Sequence, residues 1–289
     1  MANDDSHQPT PTGAEIPSSQ RQPLTPYHPF PMVMNLYSNY PSLSNLSRIF
    51  DSLKTLKLCG ANEKEFLYIV EVTSGSFSSN AHPLGTRPGL CLHNGASIKD
   101  PILAAAGDTS QHAITTLNRE SVILLPSTRF DNGKDGMVEE DLIAIAGKGT
   151  ASEGDDRVAF QFEVEIGTEK EEKQRERFQW QKGYNFNDGK AKGFRLVRLS
   201  RVGGATNTGL GPSSAAKGDE GGHDEAVVAE LVFAKVTSLK HAFTLEFKGV
   251  GRSGELGERW TLMVVVTALR LFALRASGRT TRMSARIRG

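Results

Sequence analysis

The chain has 289 residues, 38% of them hydrophobic and 23% charged, with a formal net charge of +1. Those values are ordinary for a soluble globular protein, and the two cysteines, Cys59 and Cys91, exclude a disulfide framework at this length and point to a reducing compartment. The near-neutral balance hides an asymmetry: Arg270, Arg275, Arg279, Arg282, Arg286 and Arg288 fall in the last twenty residues with no acid among them, so the rest of the chain is net acidic.

Residues 1 to 31 hold seven of the thirteen prolines together with many Ser, Thr and Gln, and no apolar run follows a basic cluster. No secretory signal is expected in this stretch, which, taken to residue 40, is expected to be a disordered tail. Ordered sequence is expected from Pro41 onward, with a short helical turn at Ser47 to Ser52 and a strand at Thr55 to Leu58. Phe66 to Val72 reads as a strand from its β-branched and aromatic content. Gly89 to His93 reads as another, closed by an Asn94-Gly95 tight turn. Ile102 to Ala106 follows the Asp100-Pro101 turn, and Ser121 to Leu125 is stopped by Pro126. A loop containing Asp131, Asn132, Gly133, Asp135 and Gly136 leads to a further strand, Met137 to Ala146.

The clearest period-2 segment is Val158 to Ile166, with Val158, Phe160, Phe162, Val164 and Ile166 on one face and Gln161, Glu163 and Glu165 on the other. Phe178 and Trp180 resume the alternation, which predicts a long hairpin turning near Gly167-Thr168. Tyr184 to Gly193 reads as a loop and Phe194 to Val202 as a strand. Gly203 to Glu225 is aperiodic and rich in Gly, Ser and Ala, hence a flexible insertion, and Ala226 to Lys235 and His241 to Lys248 supply the last two strands.

Trp260 to Leu274 is apolar on every helical face, so a helix there must be enclosed on all sides. At about fifteen residues, with Arg270 inside it, it falls short of the roughly 20 needed for a membrane span. A closed sheet is the alternative enclosure. The expected fold is therefore mainly β: a closed antiparallel barrel of about ten to twelve strands over residues 41–276, around a buried hydrophobic helix near 255–275. Trp260, Leu262, Val265, Val266, Leu269 and Phe272 would fill its centre, Ser253 would cap the helix, and residues 277–289 would form a basic tail.

Gly249-Val250-Gly251-Arg252-Ser253-Gly254 has the spacing of a dinucleotide fingerprint, but neither a second parallel strand nor an acid for the ribose follows. The better reading is a turn whose glycines let the helix enter the barrel closely. The seven histidines are scattered and lack companion cysteine pairs, so no metal and no cofactor is expected; His93 reads as a strand-end residue. No nucleophile elbow is present, and no enzyme activity is expected. Lys190, Lys192, Arg195, Arg198 and Arg201 surround one strand, with Lys235, Lys240 and Lys248 on or between the next two. They are either ordinary outward charges or a headgroup site for an anionic lipid. Nucleic acid is not expected, since the body is acidic and no stacking aromatics are interleaved.

GLCLHNG at Gly89 to Gly95, DPILAAAG at Asp100 to Gly107, FQW at Phe178 to Trp180, GFRLVRL at Gly193 to Leu199 and GELGERWTLMVVVTALRLFAL at Gly254 to Leu274 together resemble the tubby C-terminal-like superfamily, closest to its divergent fungal branch. The resemblance covers roughly residues 45 to 275 and implies a twelve-stranded barrel around a hydrophobic helix. The superfamily includes phosphoinositide-binding tubby proteins, LURP-one-related proteins and phospholipid scramblases, though the tubby C-terminal signature and the scramblase calcium site are not found in this chain. The expectation is a cytoplasmic, non-enzymatic protein, peripheral at a membrane if Lys190, Lys192, Arg195 and Arg198 bind anionic phospholipid. The alternative is a protein-interaction scaffold that recruits partners through its disordered segments; a scramblase-like protein or an enzyme ranks below both.

Overall fold

The computed structural model describes residues 28–38, 55–73, 82–109, 120–127, 136–146, 158–167, 174–186, 191–199, 226–234, 238 and 240–280. They form a closed barrel of twelve strands: β1 (Val33–Ser38), β2 (Thr55–Cys59), β3 (Phe66–Thr73), β4 (Gly89–His93), β5 (Ile102–Asp108), β6 (Glu120–Pro126), β7 (Met137–Ala146), β8 (Val158–Ile166), β9 (Gln174–Phe186), β10 (Ala191–Leu199), β11 (Val227–Phe233) and β12 (His241–Phe247). Every strand pairs antiparallel with its neighbours in sequence, and β1 closes the ring against β12, with Met34 opposite Leu245 and Leu36 opposite Phe243. A 3-10 turn, Gly249–Arg252, then leads into a twenty-residue helix, α1 (Gly257–Ala276).

The period-2 pattern decides what faces inward. Phe160, Phe162 and Val164 on β8, Phe178 and Trp180 on β9, and Phe194 and Leu196 on β10 all join the core around α1. Trp260, Leu262, Val265, Val266, Leu269 and Phe272 are all at most 4% exposed. Each such side chain taken from water contributes about 1.5–3 kcal/mol, so the apolar helix belongs inside the sheet. Trp260 sits in an aromatic layer, its ring centroid 5.8 Å from that of Phe178 and 5.7 Å from that of Phe247. The single polar residue in the middle of α1 is matched: the Trp180 indole N–H donates to Thr267 Oγ1 at 3.0 Å, and that hydroxyl donates to the Val264 carbonyl at 3.1 Å. No helix among the described residues is long and apolar enough to cross a membrane.

Strands β4 to β6 are apolar on both faces because both are covered. Leu92, Ala104, Ala106 and Ile123 point to the helix, whereas Cys91, Ala105, Val122 and Leu124 form a second, outer cluster under Leu84. The alanines of β5 let α1 approach the sheet, and a Cβ on Gly107 would meet the Pro88 carbonyl at 2.9 Å and Leu84 at 3.0 Å.

Several expectations are corrected. Strand β1 lies inside the stretch read as a disordered tail, and ordered structure begins before Pro41. The stretch Tyr184 to Gly193 is not simply a loop: β9 runs on to Phe186 and β10 starts at Ala191, with Gly183 and Gly193 paired across the two. The β4–β5 connection is longer than an Asn94-Gly95 turn, since Asn94 N–H donates to the Pro101 carbonyl and Asp100 accepts from the Ser97 amide. Ser253 does not cap α1; its hydroxyl accepts from the Glu255 amide, and Leu256 occupies the cap position without a side-chain hydrogen bond. The helical turn expected at Ser47 to Ser52, the insertion 203–225 and the basic tail from 281 lie outside the described residues.

Candidate functional site

Of the four cations expected to meet a headgroup, Lys190 lies outside the described residues and the other three are on β10. Arg198 faces Phe178 across the ladder and Leu196 faces Trp180, so Arg198 continues the inward row at the end of the barrel where α1 begins. Arg195, an odd number of residues away, is on the outer face. Lys192 is exposed and six residues from Arg198, about 20 Å along a strand. The three do not converge.

Two of them are held by carboxylates. Arg198 makes a two-pronged contact with Glu176, 2.5 Å from Nε and 2.7 Å from Nη2, and that bond pushes the guanidinium pKa up. Arg195 Nε donates to Glu230 at 3.2 Å. Glu230 also meets Lys248 at 3.5 Å, Lys248 meets Glu246 at 2.7 Å, and Glu246 takes Arg252. The outer surface of β10 to β12 is therefore a row of alternating charges.

Each end of the barrel carries an ion cluster that touches α1. At the far end Arg270 donates to Asp108, which also accepts from Arg279 at 2.7 Å, while Arg270 Nε reaches Ser121 Oγ at 2.9 Å. Burial lowers the Arg270 pKa, and Asp108 works against that shift. At the near end Glu140, 5% exposed at its side chain, accepts from Arg259 of the first turn of α1 at 3.1 Å and from Arg175 of β9 at 2.6 Å. The partly exposed Arg175 also donates to the Glu163 carbonyl at 3.3 Å, and Glu140, Glu163 and Arg175 line a cleft of about 450 Å³ between β7 and β8.

The glycine motif is structural. A Cβ on Gly251 would lie 2.2 Å from the Val228 carbonyl and 2.9 Å from the Trp260 ring, and Gly249, Gly254 and Gly257 hold positive φ of 47°, 81° and 82°. His93 ends β4, donating from Nδ1 to the Asp100 carbonyl at 2.8 Å and placing Nε2 3.1 Å from Glu71. Nearby, the Leu84 amide donates to His82 Nδ1, so the neutral ring carries its proton on Nε2 and turns it toward Cys91 Sγ at 3.2 Å. A nitrogen bearing that proton has no lone pair for a metal, and burial pushes the Cys91 thiol up to about 12. No group of three or more His, Cys, Asp or Glu among the described residues is arranged to hold a metal ion.

No family model, curated protein or solved structure matches the chain. What the chain offers a partner is read from its own surface. The clusters around Asp108 and Glu140 are absent from the sequence-based expectation. Arg270 stood out as a charge inside an apolar helix, but its partner lies 162 residues away, and no spacing rule connects the two.

Proposed function

We propose that the protein is a non-enzymatic, tubby-like barrel that works as a protein-interaction scaffold through its outer surface. A twelve-stranded antiparallel barrel closed around a hydrophobic helix is the architecture that the superfamily resemblance implies. The observation that carries the functional reading is the matched charge on β10 to β12. With Arg195, Lys248 and Arg252 each held on a carboxylate, a phosphate would have to displace Glu230 or Glu246. Interleaved charges of both signs suit the selective register of a protein partner better than a uniformly anionic membrane. The interior is occupied by α1, which leaves the outside for binding.

Anionic phospholipid is the second reading. It is supported by the exposure of Lys192, by Arg195 with its side chain 46% exposed, and by what the superfamily resemblance implies. Co-sedimentation with neutral vesicles and with vesicles containing phosphatidylinositol bisphosphate, at physiological salt, separates the two. The scaffold reading expects the protein to stay in the supernatant with both. Pelleting with the anionic vesicles alone, abolished by Lys192→Ala/Arg195→Ala, would replace it with the lipid reading.

A further inference from the structure

Strands β7 and β8 are joined over four register pairs only, from Ile143 opposite Gln161 to Ala146 opposite Val158. Yet β7 begins at Met137 and β8 continues to Ile166. Beyond the ladder, β7 pairs with β6 on its other side, from Met137 to Ile143, and β8 with β9, from Phe160 to Ile166. The closed barrel is thus parted over one stretch of this seam, beyond Ile143 and Gln161.

The sequence supplies the cause. Two residues past Ile143, the same register would set Asp141 directly opposite Glu163, and two further on Glu139 opposite Glu165, all on the outer face. Like charges directly opposite oppose pairing, so the ladder ends where the acids begin. Arg175 reaches into the opening and donates to the Glu163 carbonyl and the Glu140 carboxylate. Its guanidinium thus lines the opening between the two strands.

We propose that this seam is a strand-addition site for an extended peptide segment carrying Lys or Arg at alternate positions. The segment runs along the β7 edge from Val138 to Leu142, taking its main-chain hydrogen bonds there. Side chains two apart on its outer face reach Glu139 and Asp141 on one side and Glu163 on the other. Neither Glu139 nor Asp141 makes an ion pair among the described residues. Glu140 keeps Arg259 when Arg175 gives way, so the inner end of the seam stays neutralised during binding. The inference rests on the scaffold reading and names the partner's chemistry.

The test is fluorescence polarisation of the full-length protein with a labelled octapeptide alternating Arg and Val. Three comparison peptides accompany it: one with Glu for Arg, one with the same composition but contiguous Arg, and one N-methylated at alternate backbone positions. The alternating peptide is expected to bind, and the other three to bind at least about tenfold more weakly, because charge, spacing and main-chain donors are all required. Glu139→Gln/Asp141→Asn, two exposed changes that leave the core untouched, should weaken it by about the same factor. Equal affinity for the N-methylated or contiguous peptide would reduce the effect to bulk charge and overturn the site, as would no binding. Vesicle pelleting reads the scaffold proposal separately, so failure of one does not imitate failure of the other.

Discussion

Asp108 at the end of β5 accepts hydrogen bonds from both Arg270 and Arg279, and the Arg270 and Asp108 side chains are 4% and 5% exposed. A polar lock thus ties the end of an otherwise apolar helix to one strand. Removing either partner should be costly, but not equally.

Asp108→Ala leaves two cations without their shared carboxylate and should cost about 3–5 kcal/mol, the range for an orphaned buried charge. Arg270→Met leaves Asp108 still bonded to Arg279 at 2.7 Å and should cost less. Urea denaturation of both variants gives the order; a milder Asp108→Ala would refute this account of the lock.

Val265 is 1% exposed in the middle of α1 and belongs to the hydrophobic core that the barrel closes around. Val265→Asp should abolish the cooperative unfolding transition instead of altering a binding property, since a buried unpaired carboxylate costs several kcal/mol against a total stability of about 5–15 kcal/mol. Near-UV circular dichroism with a thermal melt checks it, and an unchanged midpoint would contradict the enclosed position of the helix.

Gly251 and Gly254 separate two uses of glycine. A Cβ on Gly251 would strike the Val228 carbonyl and the Trp260 ring, so Gly251→Ala should cost about 3 kcal/mol through overpacking. Gly254 has open space but a φ of 81°, and Gly254→Ala should cost about 1 kcal/mol from backbone conformation alone. Denaturation midpoints of the two variants should fall in that order.

His82 and His241 both have pKa values pushed below 6.5 by burial. The unfolded chain therefore takes up these protons more readily than the folded one. Their contribution is fully present above pH 6.5 and is lost as pH falls from there toward the lower folded values. His241 Nε2 lies 3.0 Å from Asn35 Oδ1 at the β1–β12 closure. His241→Gln should shrink the loss of stability between pH 7.5 and 5.5, read from urea midpoints; an unchanged slope would remove His241 from the acid response.

Asp141→Lys would face Glu163 with an opposite charge in the extended register and should zip the seam. A gain of up to about 1 kcal/mol is expected, with slower amide exchange over residues 138–142. Unchanged exchange there would mean that the acids do not cause the split.

Strand β8 was legible because one of its faces carries alternating polar or acidic side chains, and α1 because it has no polar stripe at all. Strand β1 was not, because Met34 and Leu36 sit between Pro29, Pro31 and Pro41, and the local composition masks a short inward row whose value comes from β2 and β12. The cations of β10 were visible by type. Their partners were not: Glu176 and Glu230 lie 22 and 35 residues away, brought alongside by register alone. The seam between β7 and β8 follows the same logic, since Asp141 and Glu163 become opposed only once the ladder is known.

Helix α1 comes after all twelve strands in chain order, yet it is what they enclose. Translation therefore delivers the wall of the barrel before its filling. At about 5–20 residues per second the interval from the end of β12 to the end of α1 lasts a few seconds, during which inward Phe, Trp and Leu side chains have no helix to cover them. The wall can bury its inward side chains only once α1 has been delivered, so the last-made element completes the core of the elements made before it.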